Sequence, residues 1–207
     1  MRSIVALLSL PFLAVGQAPA PTFNGKIATG SVLHPGIGVT DVDRVLQTPL
    51  KAEKGRATAV FFITNDCPIS NYYSREIRRI CEENEARGLS CSLVYTDPTM
   101  TDEAAKKHAA EYGHGAYPKI VDRRHDLVAA TGVKITPEAV LIRDDATIAY
   151  RGRIDNFYAG LGKPRRVVTE HDLRDAVEAV LSGKPVAKPE APAVGCYIPD
   201  LAAFGSR

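Results

Sequence analysis

The chain has 207 residues, 45% hydrophobic and 24% charged, which excludes a disordered segment; 16 Gly and 14 Pro without a period exclude a fibre or repeat. Lys and Arg number 26 against 24 Asp and Glu, so the formal charge is only +2 and no basic block marks nucleic acid as a partner. Four Cys are too few for a disulfide scaffold, and one compact domain around a hydrophobic core is the default.

The first element predicts export. Met1-Arg2 precedes an apolar run from Ile4 to Val15, followed by small residues, Ala14-Val15-Gly16 and Ala18-Pro19-Ala20. That order matches a signal peptide over residues 1–20, with cleavage after Gly16 favoured because Pro21 would follow a cut at Ala20. The alternative is an uncleaved anchor, but the run is shorter than the ~20 residues a spanning helix needs. No stable membrane insertion is expected after cleavage, and the four thiols then lie in an oxidising compartment, periplasmic or extracellular.

Residues 21–57 are turn-rich, with a small hairpin expected from Gly36–Val39 to Val45-Leu46. Ala57 to Thr64 is a continuous β-branched and aromatic run, as in a strand covered on both faces. After Asn65-Asp66-Cys67-Pro68, the residues Ile69, Tyr73, Ile77, Ile80, Cys81 and Asn84 recur at helical spacing, and Gly88 closes the helix. Pro68 suits its first turn. Ser90 to Tyr95 predicts a second strand, and Thr101 opens a second helix running to Gly113. Pro118 to Val121 predicts a third strand, and Asp122 caps a brief helix that Gly132 stops. Past Thr136-Pro137, Ala139–Ile142 and Thr147–Tyr150 form a hairpin around Asp144-Asp145. Thr169 with Asp172 predicts a capping box for a last helix ending at Gly183. The order implies parallel crossovers early and an antiparallel edge late. Residues 21–183 are thus read as the folded domain and 184–207 as a Pro-rich extended tail carrying Cys196.

Each cysteine has two readings. Cys67 stands where a strand passes into a helix, so free backbone N–H groups and the helix dipole would stabilise a thiolate, the reactive form of the thiol. Asp66 opposes that charge, leaving the net direction open. The alternative is a buried apolar Cys. Cys81, on the apolar face of the helix, and Cys91, in the second strand, are expected to be core residues, and no Cys-x-x-Cys or paired zinc-ligand spacing occurs. Cys196 belongs to no helical or strand face. About a dozen tail residues at ~3.1 Å each let it reach Cys67, and an inert plug or an exposed thiol remains the alternative.

The strand ending in Asp66-Cys67-Pro68-Ile69-Ser70, then Thr136-Pro137 before a hairpin containing Tyr150-Arg151-Gly152, resembles the thioredoxin superfamily. More narrowly, it is similar to the exported peroxiredoxin-like, or redoxin, branch related to the AhpC/TSA proteins. The likeness spans most of residues 30–198, and Gly195-Cys196 with its apolar follower is similar to a tail in some of them. It implies an α/β thioredoxin-like fold, a central mixed sheet flanked by helices. It makes Cys67 the attacking thiol and Pro137 a cis-proline, and it presents Thr136 as a backbone edge that pairs with an incoming chain or covers the sulfur. Ser70 stands where a dithiol thioredoxin has its second Cys, so another thiol must finish the cycle. Of the peroxiredoxin pattern the chain keeps Thr64 but has Val60 in place of Pro; Arg143, Arg151 and Arg153 are candidates for that family's arginine.

The expected function is therefore thiol oxidoreduction. Cys67 attacks a protein disulfide or a peroxide, Thr64, Thr136 and Pro137 shape the pocket with Pro68 and Ser70, and Cys196 or an external thiol reductant resolves the intermediate. No metal or other cofactor is called for. The alternatives are a non-catalytic binding module with the same fold and a copper carrier drawing on Cys67 and His125; against that last use, His108, His114, His125 and His171 are expected to be solvated surface residues.

Overall fold

The computed structural model describes residues 28–203; the expected signal peptide lies outside the described residues. A six-stranded sheet is built from β1 (Ala57–Ile63), β2 (Leu89–Tyr95), β3 (Lys119–Val121), β4 (Glu138–Arg143), β5 (Ile148–Gly152) and β6 (Glu190–Ala191), in spatial order β6-β5-β4-β1-β2-β3. β1, β2 and β3 pair in parallel, β4 runs antiparallel to β1 and to β5, and the tail strand β6 joins β5 in parallel. The helices are α1 (Pro68–Asn84), α2 (Asp102–Glu111), α3 (Asp126–Thr131) and α4 (Asp172–Leu181).

Every residue of β1 is buried, as its unbroken apolar run predicts. The two-residue pleat splits it between two cores. Ala57, Ala59, Phe61 and Ile63 pack with Tyr73, Ile77 and Ile80 of α1 and Leu173, Ala176 and Val177 of α4, whereas Val60 and Phe62 pack with Leu127 and Ala130 of α3. A two-faced sheet with helices on both sides places the end of β1 and the start of α1 at one rim of the molecule.

Helix boundaries follow local chemistry. Pro68 starts α1, where a missing N–H costs nothing. The Thr101 hydroxyl accepts from the Ala104 N–H, and the Asp122 carboxylate accepts from the N–H groups of Leu127 and Val128 at 3.0 and 2.9 Å. The capping box at Thr169 does not form: His171 is the N-cap of α4, while Thr169 accepts from the Asn156 amide, and Asp172 is drawn into ion pairs with Arg153 and Lys188.

Cys81 and Cys91 are buried, but they are bonded to each other, with Cα atoms 6.2 Å apart. The expectation of two independent core thiols is thereby corrected. Packing of α1 against β2 lays the last turns of the helix over the beginning of the strand, an adjacency that neither residue's own periodicity reveals.

The tail is less featureless than its prolines suggest. Lys188 bridges Glu170 and Asp172 at 2.7 and 2.6 Å, the Arg151 N–H donates to Pro189 O, and the Arg153 N–H donates to Ala191 O. Cys196-Tyr197 then pairs antiparallel with Ile135-Thr136, Cys196 opposite Thr136. Cys196 therefore does belong to a strand, supplied by a partner 60 residues upstream.

Candidate active site

The Cys67 backbone is extended, at φ −84° and ψ 111°, and its carbonyl accepts the first helical hydrogen bond of α1, from Asn71 N–H. Its side chain is thus held beside the unpaired N–H groups of the first turn. Sγ lies 3.4 Å from the carbonyl oxygen of Thr136, and the Thr136–Pro137 peptide is cis. The Thr136 hydroxyl donates to Cys196 O at 3.4 Å, which leaves its oxygen to accept from Thr64 Oγ1, also at 3.4 Å. Cys196 Sγ completes the cluster at 2.8 Å from Cys67 Sγ. Thr64, Cys67, Ser70, Thr136, Pro137 and Cys196 are thereby brought to one rim, with Pro68 exposed at the helix start.

The two sulfurs are electrostatically unequal. Burial pushes the Cys67 thiol up, but the Cys196 S–H, the N–H groups of Ser70 and Ile69 and the Ser70 hydroxyl act in the opposite sense and hold it below an ordinary thiol. The Ser70 oxygen is buried and makes no hydrogen bond within the described residues, so its proton is free to turn to a sulfur anion. Cys196 is pushed up to about 12, by desolvation first, then by its contact with Cys67 and by the charges of Cys67 and Asp66. The sequence left the effect of Asp66 open; here its resolved influence falls on Cys196. When the pair gives up one proton, Cys67 is therefore the sulfur that loses it, and the remaining proton stays on Cys196, 2.8 Å away.

Cys67 is 1% exposed and Cys196 is exposed. The sulfur is sealed by the tail, with amides and a second thiol beside it, and not by hydrocarbon alone. Two glycines make this docking fit. A Cβ on Gly195 would stand 2.0 Å from Thr136 O, and one on Gly152 would stand 2.0 Å from Ala191 O.

Several supporting residues escape a reading of the sequence. Asn71 Nδ2 donates to Asn65 O, which fixes its Oδ1 as acceptor from His108 Nε2 at 2.9 Å. His108 Nδ1 then accepts from Tyr95 O–H at 3.0 Å. Burial lowers the His108 pKa and keeps this neutral form. The network ties the loop before Cys67 to α2 and β2. His108, His114 and His125 are buried, which corrects the expectation of surface histidines for these three; His125 Nε2 bonds to Thr96 O. The hairpin arginines are engaged elsewhere: Arg143 with Lys184 O, Arg151 with Glu190 and Thr131 O, and Arg153 with Glu170 and Asp172.

Chemically, the site can hold a thiolate and form a disulfide by moving one tail strand by less than an ångström, since a bonded S–S pair is ~2.05 Å apart.

No family model matches the sequence, and no curated protein shows significant similarity to it. Among solved structures, the chain is similar to an uncharacterized conserved protein from Geobacillus kaustophilus, with 27% identity, a TM-score of 0.71 and coverage of 84% of this chain and 93% of that one. It is equally similar to a hypothetical protein from Sinorhizobium meliloti, with 27% identity, a TM-score of 0.72 and coverage of 84% and 95%. A thiol:disulfide interchange protein of the thioredoxin family from Chlorobium tepidum superimposes over 76% of this chain and 99% of its own, with 16% identity and a TM-score of 0.54. The mixed sheet, its flanking helices and these superpositions establish that the chain has an α/β thioredoxin-like fold.

Proposed function

We propose that this protein is a thiol–disulfide oxidoreductase whose redox couple is Cys67 and Cys196. The observation that carries the reading is the 2.8 Å approach of two free thiols with opposite proton affinities. A reactive thiolate and a partner able to close on it are what disulfide exchange requires. Neither is needed by a binding module that merely retains the fold. Peroxide as substrate draws less support, because the three candidate arginines are committed to other groups. Protein disulfides or dithiols are the favoured partners, with an external thiol as reductant, and the interchange protein of the same fold is consistent with that choice.

Export is part of the proposal. The buried Cys81–Cys91 disulfide suits an oxidising compartment, in keeping with the signal pattern at residues 1–20. No helix of the described residues is long and apolar enough to cross a membrane. After mild oxidation with oxidised glutathione, non-reducing peptide mapping should recover a Cys67–Cys196 linked peptide. Recovery of both as unlinked thiols would overturn the reading.

A further inference from the structure

We propose that, in the disulfide form, an incoming thiol attacks Cys196 and not Cys67, so that the tail cysteine bonds to the partner and Cys67 is the sulfur released. This rests on the Cys67–Cys196 couple proposed above and assigns its two members unequal roles. A thiolate must approach along the S–S axis from behind the sulfur it attacks. Around Cys67 lie the first turn of α1 and the Thr136 carbonyl, 3.4 Å from its sulfur, and the residue is 1% exposed, which leaves an incoming thiolate no open line to it. Cys196 is exposed, on a two-residue strand whose next residue, Tyr197, is 81% exposed. Bond formation shortens a 2.8 Å separation only slightly, so this difference in access carries over to the oxidised form.

The leaving group agrees with the access. A thiol of lower pKa leaves faster, and the amides and hydroxyl that depress Cys67 await the charge it acquires on release. Expelling Cys196 instead would put the charge beside Asp66. The bonds and electrons balance with a peptide or protein dithiol as reductant. Its first thiolate forms a bond to Cys196 Sγ, the Cys67–Cys196 bond breaks, and the electron pair stays on Cys67. Its second thiolate then attacks the partner sulfur of the mixed disulfide, and Cys196 departs and takes up a proton. The partner loses two electrons and leaves as a disulfide, and the protein gains both.

The test uses the full chain, oxidised, and glutathione as a single-thiol probe. Samples are acid-quenched at successive early times and mapped without reduction, with the adduct ratio extrapolated to zero time. Glutathione on Cys196 with Cys67 free should exceed the reverse arrangement at least ten-fold. A smaller ratio, or an excess on Cys67, overturns the assignment while leaving the couple intact. If the oxidised chain holds no Cys67–Cys196 bond before glutathione is added, the couple itself fails.

Discussion

At Ser70 a hydroxyl is kept buried and unpaired within the described residues, an arrangement that costs ~1–3 kcal/mol in a folded protein. Its compensation is chemical, since it helps lower the pKa of Cys67. Ser70→Ala in a Cys196→Ser background should slow iodoacetamide labelling of Cys67 several-fold at pH 7 and leave it unchanged above pH 10, while urea denaturation finds stability unchanged or raised by up to about 1 kcal/mol. Such a split between reactivity and stability is what a merely structural serine would not produce. His114 is a different case. It is fully buried, its ring nitrogens have no hydrogen-bond partner within the described residues, and desolvation, followed by the charges of His108 and Arg78, pushes its pKa down to about 4. The unfolded chain, with a His near 6.5, binds more protons between pH 6.5 and 4, so stability is full above that window and falls as pH drops through it. The loss should be roughly 3 kcal/mol in unfolding measured at pH 7 and pH 4, and His114→Leu should flatten that part of the profile.

Between elements, the tail strand and the Ile135-Thr136 strand decide whether the two thiols meet, and Gly195 decides whether the strands can approach. Gly195→Ala should push the tail off Thr136 and cut the rate of Cys67–Cys196 disulfide formation at least ten-fold, read by thiol titration during mild oxidation. An unchanged rate would show that the tail finds Cys67 without this pairing. The link between α1 and β2 has its own consequence. Closing ten residues of separation with a disulfide restricts the unfolded chain by about 3 kcal/mol in the chain-entropy model. Cys81→Ala combined with Cys91→Ala should lower the unfolding free energy by about that amount and leave the Cys67–Cys196 reaction in place. Strand, helix and hairpin positions were legible from periodicity, because burial on one or two faces writes itself into local spacing. The 81–91 bond was not, because a cysteine in a core stripe looks the same whether its sulfur is bonded or free. The role of His171 as N-cap was likewise hidden, since Asp172 is captured by Arg153, just past β5, and by Lys188 of the tail.

Over the whole molecule, the tail both extends the sheet and roofs the site, so it controls what reaches Cys67. A chain ending at Gly183 should label at Cys67 at least ten-fold faster at pH 9, where loss of the Cys196 hydrogen bond no longer limits the thiolate fraction; equal rates would mean that access is set elsewhere. By itself, the sequence determined the succession of strands and helices, the fold class and the setting of Cys67 at a strand-to-helix junction, because each follows from residue spacing and from backbone groups a few positions away. Only the tertiary structure decided that Cys196 lies over Cys67, that Cys81 is bonded to Cys91 and that Asn71, His108 and Tyr95 brace the loop. Those pairings join segments distant in the chain, and their geometry depends on how the helices and the tail settle on the sheet.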